Sequence, residues 1–542
     1  MSTPLMMNTP LTITAIMRHA ERVFGEREIV SAMDGGACHR YTYREAFQRA
    51  RQLANGLQSL GVSAGDRVAT LAWNDYRHFE VYYAISCSGA VCHTINPRLF
   101  KEQISYIIHH AEDSVLFVAP DLVHILEEML PDITTVKTFI VLCDDAELPA
   151  TRLNNVESYE AFIRRQSTSF SWPELDEQSA SALCYTSGTT GQPKGVLYNH
   201  RATVLHTYAI ALPDSMNLSA RDVMMPVVPM FHVNAWGWVY AAPMVGAKLV
   251  LPGSSMGAPN ILAQLIRDEA VTVSGAVPTV WLSLLRHLAD TQTTLPSLER
   301  VFVGGAACPS DLIEEFLLHD VEAISAWGMT ETSPIGTVNR VLPESADLPK
   351  ALADKLRVKQ GRPVFGVDLK IVDAEGNEQA WDGNSIGEVK VRGPWICSGY
   401  FRQGTTSSHD ADGWFATGDM ATMDSQGIMN ITDRSKDVIK SGGEWISSIA
   451  LENAAMAHQS IKAAAVIGIA HPKWTERPLL LAVKQADVNL GEPELIKWLE
   501  GKVARWWIPD KVIFVGELPL TATGKVSKKD LRERYRDYHL NG

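Results

Sequence analysis

The most informative segment of this chain reads Tyr185-Thr186-Ser187-Gly188-Thr189-Thr190-Gly191-Gln192-Pro193-Lys194-Gly195. It lies between two apolar runs, 180–184 and 196–198, so the sequence predicts a loop that joins two buried elements. Its glycines let the backbone approach a ligand closely, and successive backbone N–H groups in such a loop bind anions. With four Ser and Thr hydroxyls and one lysine, the loop is suited to a polyphosphate. It is not a Walker A loop, because Gly195 rather than Ser or Thr follows Lys194.

The composition restricts the class of protein and the kinds of partner. A chain of 542 residues is too long for one hydrophobic core, so we predict two or more domains. The formal net charge of −13 disfavours contact with a phosphate backbone, and we expect no nucleic-acid partner. The seven cysteines include no C-x-x-C pair, which argues against a zinc site and favours reduced thiols in the cytoplasm.

One segment without charged residues, 223–247, invites a membrane interpretation. It carries Pro226, Pro229 and Pro243 as well as His232. A membrane span needs about 20 predominantly apolar residues. We therefore interpret the segment as buried or pocket-lining, and we expect no integral membrane association.

Strand and helix patterns alternate along the N-terminal part of the chain. The sequence predicts strands at 67–73, 91–95, 114–119 and 138–143, and helices at 78–88, 101–111 and 122–130. Such alternation is typical of βαβ units with a largely parallel sheet. After Gly366 the pattern favours short antiparallel strands, and from about Ser441 it returns to mixed α/β, with strands 463–469 and 478–484 and a helix 492–503. We therefore predict an α/β fold.

Further motifs follow the loop in a fixed order. They are Trp327-Gly328-Met329-Thr330-Glu331-Thr332, Thr417-Gly418-Asp419, Asp433-Arg434-Ser435-Lys436-Asp437, the run Lys440 to Ile446, and Leu518-Pro519 through Thr523-Gly524-Lys525. Together with the loop, they resemble the signature motifs of the acyl-adenylate-forming superfamily, which includes acyl-CoA synthetases, luciferases and the adenylation domains of peptide synthetases. The runs 232–236 and 441–448 are most similar to those of bacterial fatty acyl-CoA ligases and methylmercaptopropionate-CoA ligases.

The resemblance implies the reaction and the domain organisation. It implies an acid–CoA ligase that uses ATP, Mg²⁺ and CoA and forms an acyl-adenylate, and a homodimer like those of related fatty acyl ligases. It implies a large N-terminal domain, 1–432, with mixed α/β sheets and a small β-barrel-like part. A hinge at 433–439, with Asp433 and Lys436 as its pivots, then leads to a smaller mobile α/β domain, 440–542.

The resemblance also implies site residues. ATP or AMP binding falls to Thr186, Ser187, Gly188, Thr189, Thr190, Gly191, Gln192, Pro193, Lys194, Gly305, Ala306, Ala326, Trp327, Gly328, Met329, Thr330, Asp419 and Arg434. Catalysis falls to Lys525, Thr330, Glu331 and His232, and metal binding to Glu331 and Thr190. The residues implied to bind the acyl group are His232, Trp236, Gly304 and Gly305, and those implied to bind CoA are Lys440, Gly442, Gly443, Glu444 and Trp445.

These residue types suit the implied chemistry, but the sequence leaves simpler explanations open. Glu331 is a hard oxygen ligand of the kind that Mg²⁺ prefers, yet it could cap a helix. Asp419 can accept hydrogen bonds from ribose hydroxyls, yet it could only form a turn. Arg434 could form a surface salt bridge, His232 could be a core histidine, and Gly304-Gly305 could be a plain strand-to-helix turn.

Two function classes compete with the ligase. Gly253-Ser254-Ser255-Met256-Gly257 fits the G-x-S-x-G pattern of serine hydrolases, with Ser255 as the nucleophile. A non-catalytic nucleotide-binding protein is the second alternative. A hydrolase would need neither the phosphate loop nor Asp419, and lost catalysis does not explain why Lys525 and Glu331 are both present.

The acid itself is predicted to be short. Trp236 and Trp238 are separated only by Gly237, and two indoles at a tunnel mouth would shorten the acyl space. If this segment is extended, both rings face the pocket, whereas in a helix they diverge and Trp238 belongs to the core. We expect a short- to medium-chain fatty acid or 3-methylmercaptopropionate, with a long-chain fatty acid as the alternative.

Overall fold

A computed structural model describes residues 5–186, 192–341, 348–404, 408–441, 444–485, 488–520 and 526–538. Their contacts divide the chain into two compact units. The first unit comprises most of the chain up to Asp368 and the stretch Arg392–His409. The second comprises Leu369–Val391 and the chain from Asp410 onward.

The first unit contains strands and helices in alternation. Its strands are β1 (Glu28–Ala32), β2 (Cys38–Thr42), β3 (Arg67–Leu71), β4 (Val91–Thr94), β5 (Val115–Val118), β6 (Thr138–Val141), β7 (Val156–Ser158), β8 (Ala180–Thr186), β9 (Lys194–Asn199), β10 (Val223–Pro226), β11 (Lys248–Leu251), β12 (Val273–Ala276), β13 (Arg300–Val303), β14 (Glu322–Gly328), β15 (Ile335–Val338) and β16 (Arg362–Pro363). Its helices are α1 (Ile13–Val23), α2 (Tyr43–Ser59), α3 (Tyr76–Cys87), α4 (Lys101–Ala111), α5 (Val123–Glu127), α6 (Tyr159–Arg164), α7 (His200–Ala211), α8 (Val233–Trp236), α9 (Trp238–Val245), α10 (Pro259–Asp268), α11 (Pro278–Thr291), α12 (Ser310–Leu317) and α13 (Lys350–Arg357).

Two sheets organise these strands. The first has the order β7-β6-β5-β3-β4-β8-β9, in which β8 and β9 pair antiparallel while the other pairs are parallel. The second has the order β16-β15-β14-β13-β12-β10-β11-β1-β2, with a parallel centre and antiparallel edges. The predicted βαβ alternation is confirmed.

Local sequence signals explain where several helices begin. The Thr42 side chain accepts the Glu45 backbone N–H while the Glu45 carboxylate accepts the Thr42 N–H, and this reciprocal cap starts α2. Asp75 caps α3 and Asn199 caps α7 through a single side-chain bond. The predicted helix 101–111 coincides with α4. Helix ends elsewhere differ from the prediction by a few residues.

The second unit contains two further sheets. Its strands are β17 (Asp368–Val372), β18 (Ile386–Arg392), β19 (Phe415–Met423), β20 (Met429–Arg434), β21 (Ile439–Ser441), β22 (Glu444–Ile446), β23 (Ile461–His471), β24 (Thr475–Lys484) and β25 (Lys511–Phe514), and its helices are α14 (Ser448–Met456), α15 (Glu492–Leu499) and α16 (Lys528–Arg534). Strands β17 to β20 form one sheet in sequence order, with the predicted antiparallel pairing confirmed for β18–β19 and β19–β20.

The second of these sheets has the order β22-β21-β24-β23, with β25 beside β24. Alternate residues of β23 and β24 enter two different cores, which is the period of two expected of a strand covered on both faces. The four-stranded sheet clusters with this C-terminal part of the chain. The domain division at residue 432 stays a prediction.

Apart from the exposed His232, the charge-free segment is buried or half-buried, as predicted. It forms β10, the short turn α8 and helix α9, and Trp238 at the start of α9 is 0% exposed. In the part of the chain that the structure describes, no helix combines the length and apolar character that crossing a membrane requires.

Candidate active site

The phosphate loop, residues 186–194, connects the antiparallel strands β8 and β9. Thr186 pairs with Lys194 where the two strands end, so the two ends of the loop lie side by side. Gly195 is packed closely: an added Cβ would lie 3.1 Å from both Leu183 Cδ1 and the Tyr185 ring. Five predicted loop residues lie outside the described residues, namely Ser187, Gly188, Thr189, Thr190 and Gly191. Gln192 is exposed, Pro193 is buried and Lys194 is half-buried.

The adenylate motif, residues 327–332, begins in the last two residues of β14. An added Cβ on Gly328 would overlap the Pro334 carbonyl oxygen, so these two backbone segments can approach this closely only because residue 328 is glycine. The Tyr198 hydroxyl, on β9, donates to the Thr330 carbonyl oxygen at 2.7 Å. This bond ties the motif to the strand that leaves the phosphate loop, and the structure therefore brings these two predicted elements together.

Glu331 lies in this motif with only 6% of its surface exposed. The Tyr400 hydroxyl donates to Glu331 Oε1 at 2.8 Å, and Cys397 N–H donates to the Glu331 carbonyl oxygen at 2.8 Å. Burial, together with the neighbouring carboxylate, holds the pKa of the Tyr400 phenol well above its usual value, so it remains a proton donor. The ring of Tyr400 also lies under the Lys194 ammonium, with 4.8 Å between Nζ and the ring centroid.

Tyr400 is a site residue that no sequence motif predicted. It lies in the segment 395–402, which carries none of the motifs named above. Phe401 N–H, next along the chain, donates to the Gly195 carbonyl oxygen at 2.8 Å. The adjacent aromatic pair Tyr400-Phe401 after Gly399 was the only signal available in the sequence.

The surroundings of Glu331 fit a magnesium ion held largely by a substrate. Mg²⁺ is usually held by one or two carboxylates together with waters and substrate phosphates. Glu331 offers one buried carboxylate, whereas Thr190, the other predicted ligand, lies outside the described residues. Within the described ranges, no cluster of three or more His, Cys, Asp or Glu side chains could hold a metal ion. This donor set suits an ion that arrives with a nucleotide.

A left-handed turn shapes the predicted acyl region. Residues 233–236 all have φ between +47° and +56°, and Gly237 follows at +80°. Left-handed backbone costs roughly 1–2 kcal/mol per non-glycine residue, so the surrounding structure has to hold this turn. Asn74, in the loop before α3, fixes the segment that leads into the turn: it accepts Met230 N–H at 2.6 Å and donates to the carbonyl oxygens of Pro226 and Val228 at 2.9 Å.

The turn presents Trp236 to the second sheet. An added Cβ on Gly304 would lie 3.0 Å from Trp236 Cη2, so the indole rests on the Gly304 backbone. The structure thus brings together two predicted acyl-site residues. Gly305 is exposed with φ of +78°, and Ala306 is exposed beside it. His232, which precedes the turn, is exposed, so the interpretation as a core histidine is wrong.

Trp238 belongs to the core, as the helical alternative predicts. Its indole N–H points at Met216 Sδ, 3.2 Å away, and its ring packs edge-on against Phe302. The expected divergence of the two indoles is nevertheless wrong. An added Cβ on Gly275 would lie 3.2 Å from Trp238 and 3.4 Å from Trp236, because the left-handed turn folds both rings onto the same glycine of β12.

A buried histidine that the sequence analysis did not single out lies behind this turn. His206, on α7, accepts Ile335 N–H at 3.3 Å through Nε2. An added Cβ on Gly237 would lie 2.8 Å from its ring. Burial lowers the pKa of His206 to about 3, so the ring is neutral near pH 7. His206 therefore supports the turn at Gly237 and the strand after the adenylate motif at the same time.

In the second unit, the predicted ribose motif and the predicted hinge arginine lie together. Asp419 on β19 pairs with Arg434 on β20, and Arg434 Nε lies 2.8 Å from Asp419 Oδ1. The Asp419 side chain is buried, whereas that of Arg434 is largely exposed. Gly418, with φ of +74°, forms the irregular backbone before Asp419. The carboxylate is thus held in place by an arginine that still faces solvent.

The predicted hinge begins at a buried residue. Asp433 is 0% exposed, and its carboxylate accepts the Ser448 hydroxyl at 3.0 Å and the Ser448 N–H at the start of α14. Burial raises the pKa of Asp433 above its usual value. Lys436, the other predicted pivot, is exposed. The Asp433 side chain is therefore a structural link within this unit.

The predicted CoA residues flank a hairpin. Lys440 on β21 pairs with Trp445 on β22, and Ser441 pairs with Glu444. Gly442 and Gly443, which connect the strands, lie outside the described residues. Lys525 also lies outside them, in the segment that follows Leu520; Leu520 itself forms a bridge to Val526.

The Gly-x-Ser-x-Gly pattern lies in turns between β11 and α10. Gly253 bridges to Asn74, and Ser255 N–H donates to the Pro252 carbonyl oxygen. Among the described residues, the Ser255 hydroxyl is hydrogen-bonded to no histidine. In the part of the chain that the structure describes, Ser255 therefore has no histidine as the base that a serine nucleophile needs.

Comparisons with known proteins place the chain among enzymes that activate carboxylic acids. The family model for AMP-binding enzymes matches residues 17–401, and the model for the C-terminal domain of AMP-binding enzymes matches residues 450–525. The chain is 50% identical over 533 residues to a 3-methylmercaptopropionyl-CoA ligase of Ruegeria lacuscaerulensis, covering 98% of each chain. It is also 50% identical to a medium-chain fatty acid–CoA ligase of Ectopseudomonas oleovorans, covering 99% of this chain and 98% of that protein.

Two more distant matches are CoA ligases as well. A long-chain fatty acid–CoA ligase of Thermus thermophilus is 44% identical, with 98% of this chain and 97% of that protein covered. Among solved structures, an anthranilate CoA ligase in complex with anthranoyl-AMP superposes with a TM-score of 0.83 at 25% identity, covering 97% of this chain and 98% of that chain.

Proposed function

This chain belongs to the family of AMP-binding enzymes, and we propose that it is an ATP-dependent acid–CoA ligase. A carboxylate attacks the α-phosphate of ATP to give an acyl-adenylate and pyrophosphate. The thiol of CoA then attacks the acyl carbon and releases AMP. The observation that carries this proposal is the joining of the phosphate loop to the adenylate motif through Tyr198 and Thr330, in a chain half identical to CoA ligases over its length.

In the first half-reaction, the phosphate loop binds the ATP phosphates. Ser187 to Lys194 surround them with backbone N–H groups, hydroxyls and the Lys194 ammonium. Thr330 donates to the α-phosphate. Glu331 and Thr190 would hold Mg²⁺, which would neutralise phosphate charge. His232 faces the acyl carboxylate, in agreement with its exposure.

Lys525 provides the positive charge for the adenylation transition state. It bridges the carboxylate and the α-phosphate while negative charge accumulates between them, which is electrostatic stabilisation. A weak carboxylate nucleophile also has to be held in line with the phosphate. We assign this role from the Thr523-Gly524-Lys525 motif.

The nucleoside is recognised by residues of the segment 305–329 and by Asp419 and Arg434. The adenine or the phosphate of the nucleotide is contacted by Gly305, Ala306, Ala326, Trp327, Gly328 and Met329. Asp419 accepts hydrogen bonds from the ribose hydroxyls, and Arg434 binds the ribose or phosphate. The buried Asp419 carboxylate, already held by Arg434, supports this role because its orientation is fixed before a ligand binds.

In the second half-reaction, the C-terminal domain changes position. Domain 440–542 rotates relative to 1–432 about the hinge 433–439, so that Lys525 leaves and the hairpin with Lys440, Gly442, Gly443, Glu444 and Trp445 serves CoA. The exposed Lys436 supports a pivot there. We also propose that the enzyme is a cytoplasmic homodimer.

The acid is short or medium in length. Trp236 packs on Gly304, and both Trp236 and Trp238 pack on Gly275. Two indoles therefore occupy the space beside β12 and the end of β13. The 50% identical relatives, named for 3-methylmercaptopropionate and medium-chain fatty acids, support the same class. A long-chain acid remains the second candidate, because the 44% identical Thermus thermophilus relative is named for one.

Product analysis with a panel of acids tests the proposal. We expect pyrophosphate from ATP and a short or medium acid, and AMP together with an acyl-CoA once CoA is added. Release of ADP and phosphate, or a reaction that needs no acid, would contradict the ligase. A preference for long-chain acids over four-carbon acids would contradict only the substrate class.

A further inference from the structure

Tyr400 contacts both halves of the nucleotide machinery in the first unit. Its hydroxyl donates to Glu331 Oε1 at 2.8 Å, and its ring centroid lies 4.8 Å from Lys194 Nζ. Glu331 belongs to the adenylate motif, and Lys194 ends the phosphate loop. One side chain therefore joins a carboxylate and an ammonium group from two separate motifs.

The backbone around Tyr400 is fixed from both sides. Three residues before it, Cys397 N–H donates to the Glu331 carbonyl oxygen at 2.8 Å. One residue after it, Phe401 N–H donates to the Gly195 carbonyl oxygen at 2.8 Å. Tyr400 itself is 6% exposed. It is thus clamped between the two motifs by main-chain bonds that do not depend on its hydroxyl.

We propose that Tyr400 is a positioning residue for adenylation, which sets Glu331 and Lys194 relative to each other. Donation to Oε1 fixes the rotation of the Glu331 carboxylate, and hydrogen bonds to charged acceptors are stronger than those between neutral groups. The ring face attracts the Lys194 ammonium through a cation–π contact. This inference rests on the roles proposed above for Glu331 and Lys194.

Two variants distinguish the contact of the Tyr400 hydroxyl with Glu331 from the contact of its ring with Lys194. Tyr400→Phe removes the hydroxyl and keeps the ring, so it should slow single-turnover adenylation by about 10- to 100-fold, as for loss of one hydrogen bond to a charged group. The KM for ATP should stay within about twofold, since the ring still faces Lys194. Tyr400→Leu removes both contacts and should also raise the KM for ATP.

Binding without turnover gives a second measurement. Calorimetric titration with α,β-methylene-ATP in EDTA should give wild-type affinity for Tyr400→Phe and roughly 2- to 30-fold weaker affinity for Tyr400→Leu. Tyr43→Phe is the matched control, because Tyr43 is also buried and its hydroxyl donates to the Ala247 carbonyl oxygen at 2.8 Å, away from both motifs. It should leave adenylation and binding unchanged.

A double-mutant cycle distinguishes failure of this inference from failure of the proposed function. Glu331→Gln should adenylate slowly, and adding Tyr400→Phe should slow it little further, because the hydroxyl acts through the carboxylate. A wild-type rate for Glu331→Gln would overturn the role of Glu331 and this inference with it. A slow Glu331→Gln with a wild-type Tyr400→Phe, additive losses in the double variant, or an equal loss in Tyr43→Phe would overturn the inference alone.

Discussion

Replacing Trp238 with Ala tests whether the packed indoles limit the length of the acid. Trp238 is fully buried against Met216 and Phe302, and its ring shares Gly275 with Trp236. Without this ring, Trp236 can move away from Gly304 and open space beside β12 and β13. If three further methylenes are accommodated, they are worth about 2.4 kcal/mol, or about 60-fold in KM.

The assay compares kcat/KM for straight-chain acids of increasing length. For the wild-type enzyme, kcat/KM should stop rising with chain length after a few carbons. In Trp238→Ala, kcat/KM should continue to rise for longer acids. Since loss of a buried indole costs about 3–5 kcal/mol of stability, Trp281→Ala is the control: Trp281 is also fully buried but packs on Phe316. A folded Trp238→Ala enzyme with the wild-type profile, or an equal change in Trp281→Ala, would show that the two indoles do not limit the length of the acid.

Three further predictions concern other parts of the account. Lys525→Ala should slow adenylation by about 10²–10³-fold while a supplied acyl-adenylate still reacts with CoA, and equal loss of both half-reactions in single-turnover assays would exclude the proposed role. Lys436→Pro, at the exposed pivot, should leave adenylation near normal and slow thioester formation, because proline fixes φ; unchanged rates for both steps would move the hinge elsewhere. Buried His206 should make the free energy of unfolding fall by about 1.4 kcal/mol per pH unit as the pH drops from about 6.5 towards about 4. The reason is that its pKa is about 3 in the folded protein, so only the unfolded state takes up the proton in this range. His206→Gln should reduce this slope in denaturant titrations, and an unchanged slope would contradict the prediction.

Local pattern was enough to predict much of the fold. Helix 101–111 and the neighbouring strands follow from apolar periodicity, because each element buries a face against the sheet beside it. The antiparallel strands after Gly366 follow from turn signals. The grouping of the four-stranded sheet with the C-terminal chain does not follow, since it depends on tertiary contacts such as that of Asp433 with Ser448.

The candidate site was predictable as a list of motifs but not as an arrangement. Asp419 and Arg434 belong to different motifs, and only the register of β19 and β20 makes them partners. The left-handed turn at 233–236 follows a segment that Asn74 fixes through Met230, 156 positions later in the chain, so no local preference indicates the turn. Tyr400 gains its importance from Glu331 and Lys194, neither of which is near it in sequence.

Isotope transfer from the acid to AMP tests whether the reaction passes through an acyl-adenylate. With an acid labelled with ¹⁸O in both carboxylate oxygens, attack on the α-phosphate places one labelled oxygen between the acyl carbon and phosphorus. Thiolysis then breaks the bond between the acyl carbon and that oxygen. We therefore expect mass spectrometry to find one ¹⁸O in each AMP formed together with acyl-CoA. Unlabelled AMP in a reaction that yields acyl-CoA would contradict the acyl-adenylate pathway.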